Sequence, residues 1–153
     1  MKFYNWYETR NHLWIIFEYC AGGDLCQLIE TDKKLTEDTI RKFGIELVEG
    51  LSYLHSNSII YCDLKPANIL LNEYGALKLC DFGLSKKLTD DSGSATVDPS
   101  KPKAGTPYYM APELFSDIGC HSYASDFWSL GCLLFEMATG KPPFSTNSLK
   151  DLI

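Results

Sequence analysis

Between two aliphatic runs suited to burial, the chain inserts an aspartate, a lysine, a proline and an asparagine: Ile59 to Leu71 reads IIYCDLKPANILL. No packed strand or helix accommodates that interior. The residue before a proline is pushed out of the α region, so Lys65-Pro66 ends any helix. Asp63, Lys65 and Asn68 therefore fall on a loop held stiffly by the apolar segments on either side. Any fold for this chain must bury both flanks and still present a carboxylate, an ammonium and an amide.

The segments around the loop show how it is mounted. FYNWYE and LWIIFEY are rich in aromatic and β-branched residues and are separated by Thr9 to His12, which predicts a hairpin. Gly22-Gly23 breaks the chain, and DLCQLIE reads as a short helix. Thr36 caps the next helix, with Glu37 and Asp38 in its first turn, where acids suit the helix dipole. Ile40, Phe43, Leu47, Leu51 and Leu54 mark one buried face of that helix, which runs to about His55. After the loop, NILL and ALKLC flank Asn72 to Gly75, a second hairpin that ends at DFG. Residues 89–103 are polar, rich in Ser, Asp and Pro, and are expected to be mobile. From Tyr123 a helix begins with apolar residues all round it (Phe127, Trp128, Leu130, Leu133, Leu134, Phe135, Met137), the pattern of a central buried helix. Gly140 stops it and Pro142-Pro143 prevents its resumption.

Composition excludes several functions. At 153 residues, 45% hydrophobic and with net charge −6, the chain has the make-up of about one soluble domain. Its acidic balance and scattered lysines argue against a nucleic-acid groove. No apolar run approaches the ~20 residues of a membrane span, and the first residues are aromatic and polar, unlike a secretory signal. The six cysteines form no C-x-x-C pair, so they are expected to be reduced thiols, mostly small buried hydrophobes, in a cytoplasmic protein.

The second hairpin starts just after Asn68 and ends just before Asp81, so its turn brings Asp81 back toward the loop of Asp63. Two neighbouring carboxylates repel unless a cation lies nearby. Oxygen ligands from Asp81 and the Asn68 carbonyl suit Mg²⁺, which completes its shell with water and phosphate oxygens. Lys65 adds a point charge able to neutralise a transferring phosphoryl group. Asp63 is then left to orient or deprotonate an incoming hydroxyl. Taken singly, Asp-Phe-Gly reads as a turn and DLKP as a loop with a solvated lysine, since short motifs match by chance. Order, spacing and the intervening hairpin together favour a site.

DLKPANILL, KLCDFGLSKKL, GTPYYMAPE and SDFWSLGCLLFEMATGKPPF resemble the catalytic loop, metal-binding segment, substrate-docking segment and central helix of the eukaryotic protein kinases. The resemblance implies an α+β, protein-kinase-like fold, with residues 1–20 as the end of the small lobe and the hinge. Residues 21–153 would be a mainly helical large lobe. It makes Asp63 the catalytic base, Lys65 the phosphate-binding lysine, and Asn68 and Asp81 the magnesium ligands. Asp126 resembles the aspartate that braces the catalytic-loop backbone. Phe17 would be the gatekeeper, the Glu18 carbonyl and Cys20 amide would meet the adenine edge, Leu70 would floor it, and Asp24 would lie near the ribose. Plain core packing also accounts for Phe17 and Leu70, and Cys80 is filler or a thiol reachable from the nucleotide. Lys65 with Gly105-Thr106-Pro107 follows the serine/threonine pattern. The implied activity is phosphoryl transfer from ATP·Mg²⁺ to a protein serine or threonine.

IIYCDLKP, GTPYYMAPE and WYET look most like the Fused/Runkel branch, related to the autophagy-initiating kinases. That likeness carries an alternative: a pseudokinase scaffold, with a microtubule or other cytoskeletal partner.

The sequence departs from the family pattern. It has no Gly-rich phosphate loop, no strand lysine and no partner glutamate, and Glu113 has only Arg10 and Arg41 as arginines, neither suitably placed. A partial kinase domain, truncated at its C-terminal end and inactive alone, is the expectation. Tyr61-Cys62 replaces the family's usual His-Arg. Tyr61 can keep the packing role of the histidine, whereas Cys62 cannot dock a phosphate. Pro102 stands where such kinases often carry a phosphorylated threonine, so activation-loop phosphorylation is not expected to be needed. Ser92, Ser94, Thr96 and Ser100 remain modifiable in principle.

Overall fold

A computed structural model describes residues 1–88, 105–117, 119–146, 148 and 151. Strands β1 (Phe3–Thr9) and β2 (His12–Phe17) form the expected antiparallel hairpin, with Thr9 paired to His12 across a two-residue turn. Helices α1 (Leu25–Asp32) and α2 (Glu37–Ser56) follow. Strand β3 (Ile59–Ile60) later pairs with β6 (Lys86–Lys87), and β4 (Ile69–Leu71) pairs with β5 (Leu77–Leu79). Helix α3 (Tyr123–Thr139) is the last long element among the described residues. None of the described helices is long and apolar enough to cross a membrane.

The helix boundaries have identifiable local causes. Asp24 caps α1 by accepting the Gln27 amide, and Thr36 caps α2 by accepting that of Thr39. Ser122 and Ser125 cap α3 reciprocally, each side chain taking the other's backbone N–H. Gly140 ends α3 in a left-handed conformation at φ 80°. Its backbone faces the Lys33 carbonyl, so a Cβ there would lie 1.9 Å from that oxygen. Leu35 N–H donates to the Met137 carbonyl beside it, which ties the α1–α2 connection to the end of α3.

The core lies between α2 and α3, closed on one side by α1 and β4. Leu47, Leu51 and Leu54 of α2 meet Leu130, Leu133 and Met137 of α3, with Leu25, Ile29, Tyr61, Leu64 and Ile69 completing the cluster. Truncating one such leucine to alanine costs about 2–5 kcal/mol in a well-packed core. Gly22 brings α1 against β4, since the Gly22 amide donates to Leu71 O and the Leu71 amide to Gly23 O, both at 2.9 Å.

Two expectations need correction. Helix α3 is not buried all round: Phe127, Trp128 and Phe135 remain exposed on one side. An apolar circumference requires cover on every side; Leu130, Leu133 and Met137 face the core, whereas Phe127 meets the His55 ring and Trp128 stacks on Phe144 without either being covered. All six cysteines are free, as expected, but only Cys62 and Cys132 are buried. The other four sit at partly exposed positions, where a thiol does not act as a core hydrophobe.

Candidate active site

The loop between β3 and β4 is held from beneath by α3. Asp126, in the first turn of that helix and 1% exposed, accepts the Tyr61 amide at Oδ2 and the Cys62 amide at Oδ1, each at 2.9 Å. His55 Nε2 lies 2.8 Å from the same Oδ2, and its ring packs on Tyr123 and, edge-on, on Phe127. A carboxylate this deep persists only when fully hydrogen-bonded. Its two amide bonds hold Cys62 at φ 71°, a left-handed conformation that a non-glycine residue keeps only where its surroundings impose it.

Asp63 follows immediately and is also buried. Its Oδ1 accepts the Thr106 amide at 3.0 Å and the Thr106 hydroxyl at 2.9 Å. Its Oδ2 faces Lys65 Nζ at 2.8 Å and accepts from Asn68 Nδ2 at 2.9 Å. Lys65 also donates to Thr106 Oγ1 at 2.8 Å, closing a ring of three side chains. Burial pushes the Asp63 carboxyl upward, but Lys65, Thr106 and Asn68 outweigh it and hold the group below the usual aspartate value. Asp63 is therefore ionised at neutral pH and able to accept a proton. Thr106, singled out in the sequence only within a docking motif, is a direct partner of this carboxylate. A threonine so far along the chain gives no local sign of that contact.

Asn68 spends its Nδ2 on the Asp63 carbonyl and carboxylate, which leaves Oδ1 as its cation-facing atom. Asp81 is exposed, with φ 54°, and one carboxylate oxygen accepts the Gly83 amide. The β4–β5 hairpin joins the two, because Cys80 N–H donates to the Asn68 carbonyl at 3.0 Å. Tyr61 packs its ring edge-on against Phe82 at 5.3 Å, and its hydroxyl donates to the Cys80 carbonyl. Among the described residues no cluster of three or more His, Cys, Asp or Glu is suited to a metal. A cation here would have Asp81, Asn68 Oδ1, water and phosphate oxygens, a hard-oxygen set that fits Mg²⁺.

The hinge-side residues are more dispersed. Phe17 ends β2 and is exposed, touching Phe3, so it is not core packing in this chain. Glu18 accepts the Lys2 amide and pairs with Lys78 at 3.3 Å, which fastens the strand's exit to β5. The Lys2 amide above all, with Lys78 beside it, outweighs desolvation and holds the Glu18 carboxyl below its usual range. Asp24, besides capping α1, bridges to Leu70 across the chain, so these two lie together. Cys20 is partly exposed, and the Cys80 thiol donates to the Asn68 carbonyl at 3.3 Å. Burial raises the Cys80 thiol and pushes that of Cys62 up to about 12, leaving neither poised for nucleophilic chemistry.

One pair escaped the sequence reading. The Tyr109 hydroxyl donates to Glu136 Oε2 at 2.6 Å, and Ser129 Oγ donates to the Tyr109 carbonyl at 2.7 Å. Ser129 and Glu136 lie seven apart on α3, and polar residues at that spacing on an apolar helix are the signal that could have found them. They fix the turn that carries Thr106. Glu113 is exposed. Ser92, Ser94, Thr96, Ser100 and Pro102 lie outside the described residues.

A sequence profile for the protein kinase domain matches residues 1–152. Serine/threonine-protein kinase RUNKEL of Arabidopsis thaliana is 58% identical over the whole chain, and serine/threonine-protein kinase ULK4 of Mus musculus is 41% identical over the whole chain. Mitogen-activated protein kinase kinase kinase 3 of Arabidopsis thaliana is 45% identical over 86% of it. The chain spans 11%, 13% and 20% of the lengths of these three relatives.

Proposed function

The chain belongs to the protein kinase domain family, and from that premise we propose that the protein carrying it transfers the γ-phosphoryl group of ATP to serine or threonine hydroxyls of proteins. Asp63 orients the acceptor hydroxyl and takes its proton. Lys65, within reach of Asp63 and Thr106, balances charge on the moving phosphoryl group. Asn68 Oδ1 and the Asp81 carboxylate hold Mg²⁺, which when bound neutralises the phosphate oxygens. Phe17, the Glu18 carbonyl, the Cys20 amide and Leu70 frame the adenine, and Asp24 faces the ribose. The hydroxyl-bearing substrate lies against Thr106 and the apolar groove of Tyr108, Met110 and Trp128. Six free cysteines support a reducing, cytoplasmic setting as part of the same reading.

The observation that carries the reading is the Asp63 carboxylate, ionised and aimed by Lys65, Asn68 and Thr106 at once. Four contacts on one buried carboxylate leave it little freedom, as a positioned base requires. The serine/threonine-kinase names of the relatives support the acceptor class.

The test assays the protein carrying this chain with labelled ATP, MgCl₂ and a generic protein substrate. Asp63→Asn is expected to keep Mg²⁺-dependent ATP binding and lose about 10²–10⁴-fold in rate. Asp81→Asn is expected to weaken that binding itself. Equal loss of nucleotide affinity in both variants would show the roles to be misassigned. ATP binding without transfer in the native protein would favour a scaffold.

A further inference from the structure

Of the three methionines in the chain, one is wedged against the backbone that reaches Asp63. Gly105 has no room for a side chain: a Cβ there would lie 3.1 Å from the Cys62 carbonyl oxygen, and 3.2 Å and 3.6 Å from Met110 Cγ and Sδ. Its φ of 140° is open in practice only to glycine. The Met110 side chain and the carbonyl just before Asp63 therefore close on the same corner of Gly105. Thr106 follows directly, with its amide and hydroxyl on Asp63 Oδ1 at 3.0 Å and 2.9 Å. The Met110 thioether thus packs one residue away from the donors that aim the proposed base.

The backbone of Met110 is held on both sides. Before it, the Tyr109 hydroxyl donates to Glu136, and Ser129 Oγ donates to the Tyr109 carbonyl. After it, Ala111 is completely buried. A change in the volume of the Met110 side chain is therefore taken up at Gly105. The side chain is only partly buried and lines an apolar groove of about 190 Å³ with Pro107, Tyr108 and Trp128, which opens it to small molecules from solvent. Met137, by contrast, is completely buried in the core. An apolar thioether suits the corner at Gly105. Its sulfoxide does not, because oxidation adds an oxygen and makes the side chain polar. With Gly105 already in contact, the added oxygen fits only if Gly105 gives way or the side chain swings out into the groove. Either movement removes the packing that presses Gly105 and Thr106 toward Asp63.

We propose that Met110 is a site of reversible oxidation by hydroperoxides, and that its sulfoxide loosens the Gly105–Thr106 turn from Asp63. With hydrogen peroxide, a sulfur lone pair takes one peroxide oxygen and the O–O bond breaks. The other oxygen leaves as water, carrying both protons. The thioether is oxidised to the sulfoxide and the peroxide is reduced. The consequence for phosphoryl transfer rests on the reading of Asp63 above, whereas the oxidation and the loosened turn do not.

The full chain, Met110→Leu and Met1→Leu are exposed briefly to hydrogen peroxide and then to dithiothreitol, which returns reversibly oxidised thiols to their reduced form and leaves a sulfoxide in place. Peptide masses locate the added oxygen, amide hydrogen exchange is followed by NMR, and each chain is compared with itself before exposure. Met110 is expected to oxidise at least about tenfold faster than Met137, which reacts only through opening of the core. Exchange of the Thr106 amide is expected to rise about tenfold on oxidation, the effect of losing a hydrogen bond to a charged group, while α2 keeps its native protection. Methionine sulfoxide reductases for both epimers reverse the rise. Met110→Leu shows no response to peroxide and Met1→Leu responds as the native chain does. Met110→Gln, which puts a polar side chain in the same corner, exchanges fast at Thr106 without any peroxide. Oxidation of Met110 no faster than that of Met137 would overturn the site. Native Thr106 exchange in the oxidised chain would overturn the loosening, and so would an equal rise in Met110→Leu or faster exchange throughout α2. The rate of phosphoryl transfer is expected to fall with the same time course and to recover with the reductases. Absence of transfer before oxidation would defeat the functional reading instead, and masses and exchange would then decide the site.

Discussion

Thr106 serves Asp63 twice, donating its amide and its hydroxyl to one carboxylate oxygen while accepting from Lys65. These contacts help hold the Asp63 carboxyl below the usual aspartate value, against burial that pushes it up. Thr106→Val removes the hydroxyl and keeps the shape. The Asp63 pKa then rises, so the proposed base becomes protonated at higher pH. The acid limb of the phosphotransfer pH profile is expected to move upward by about one unit, the equivalent of about 1.4 kcal/mol. Thr106→Ser, which keeps the oxygen, should restore it. Stability follows the same sign. A carboxylate with a lowered folded pKa adds stability above its unfolded value, near 3.9, and loses it as pH falls through the folded value. The valine variant should show a smaller loss on acidification below about pH 4. An acid limb unmoved by valine would place the control of Asp63 elsewhere.

Within α3 and at its end, two glycines should answer the same substitution with opposite sign. Gly140 sits at φ 80° with a prospective Cβ 1.9 Å from the Lys33 carbonyl. Alanine there meets both the left-handed penalty of about 1–2 kcal/mol and a backbone collision. Gly140→Ala is expected to lower stability by at least about 2 kcal/mol. Gly131 lies mid-helix with nothing within 4 Å of a prospective Cβ. Alanine there gains helix propensity and restricts the unfolded chain, so Gly131→Ala should stabilise by about 0.4–1 kcal/mol. Urea midpoints of the two variants settle the matter. A stabilising shift in both would mean that the turn at Gly140 adapts and that the contact with Lys33 does not fix it, and a destabilising shift in both would mean that Gly131 is not free to take a side chain.

For the molecule as a whole, the β1–β2 hairpin is the conspicuous liability. Trp6 and Trp14 are 54% and 56% exposed, among Tyr4, Tyr7, Leu13 and Ile15. A two-stranded hairpin is marginal on its own, and its edges and aromatic surface invite association. The net charge of −6 opposes that contact through repulsion, which salt screens. The 153-residue chain is expected to bind an apolar-surface dye and to associate more strongly as salt is raised. Trp6→Lys with Trp14→Lys should reduce both effects. A monodisperse monomer with a sharp melt and no dye binding, at low and high salt alike, would contradict this.

The elements around the site could be read from local chemistry. Helix caps at Asp24, Thr36 and Ser122 and the stop at Gly140 are decided by atoms a few residues apart, and the hairpin turn at Asn72 to Gly75 is equally local. Asp63, Lys65 and Asn68 were visible for the same reason, since they lie within five positions of one another on a proline-stiffened loop. The long-range contacts that complete the site were not visible. Thr106 lies 43 positions away, and His55 reaches Asp126 across 71. Nor could periodicity show that Phe127 and Phe135 stay exposed on an apolar helix. A hydrophobic pattern states which faces can be buried, and only the packed neighbours decide which of them are. The same division separates the Tyr61 ring, whose aromatic slot was foreseeable, from its hydroxyl, whose acceptor became available only when the β4–β5 hairpin folded the Cys80 carbonyl back over it.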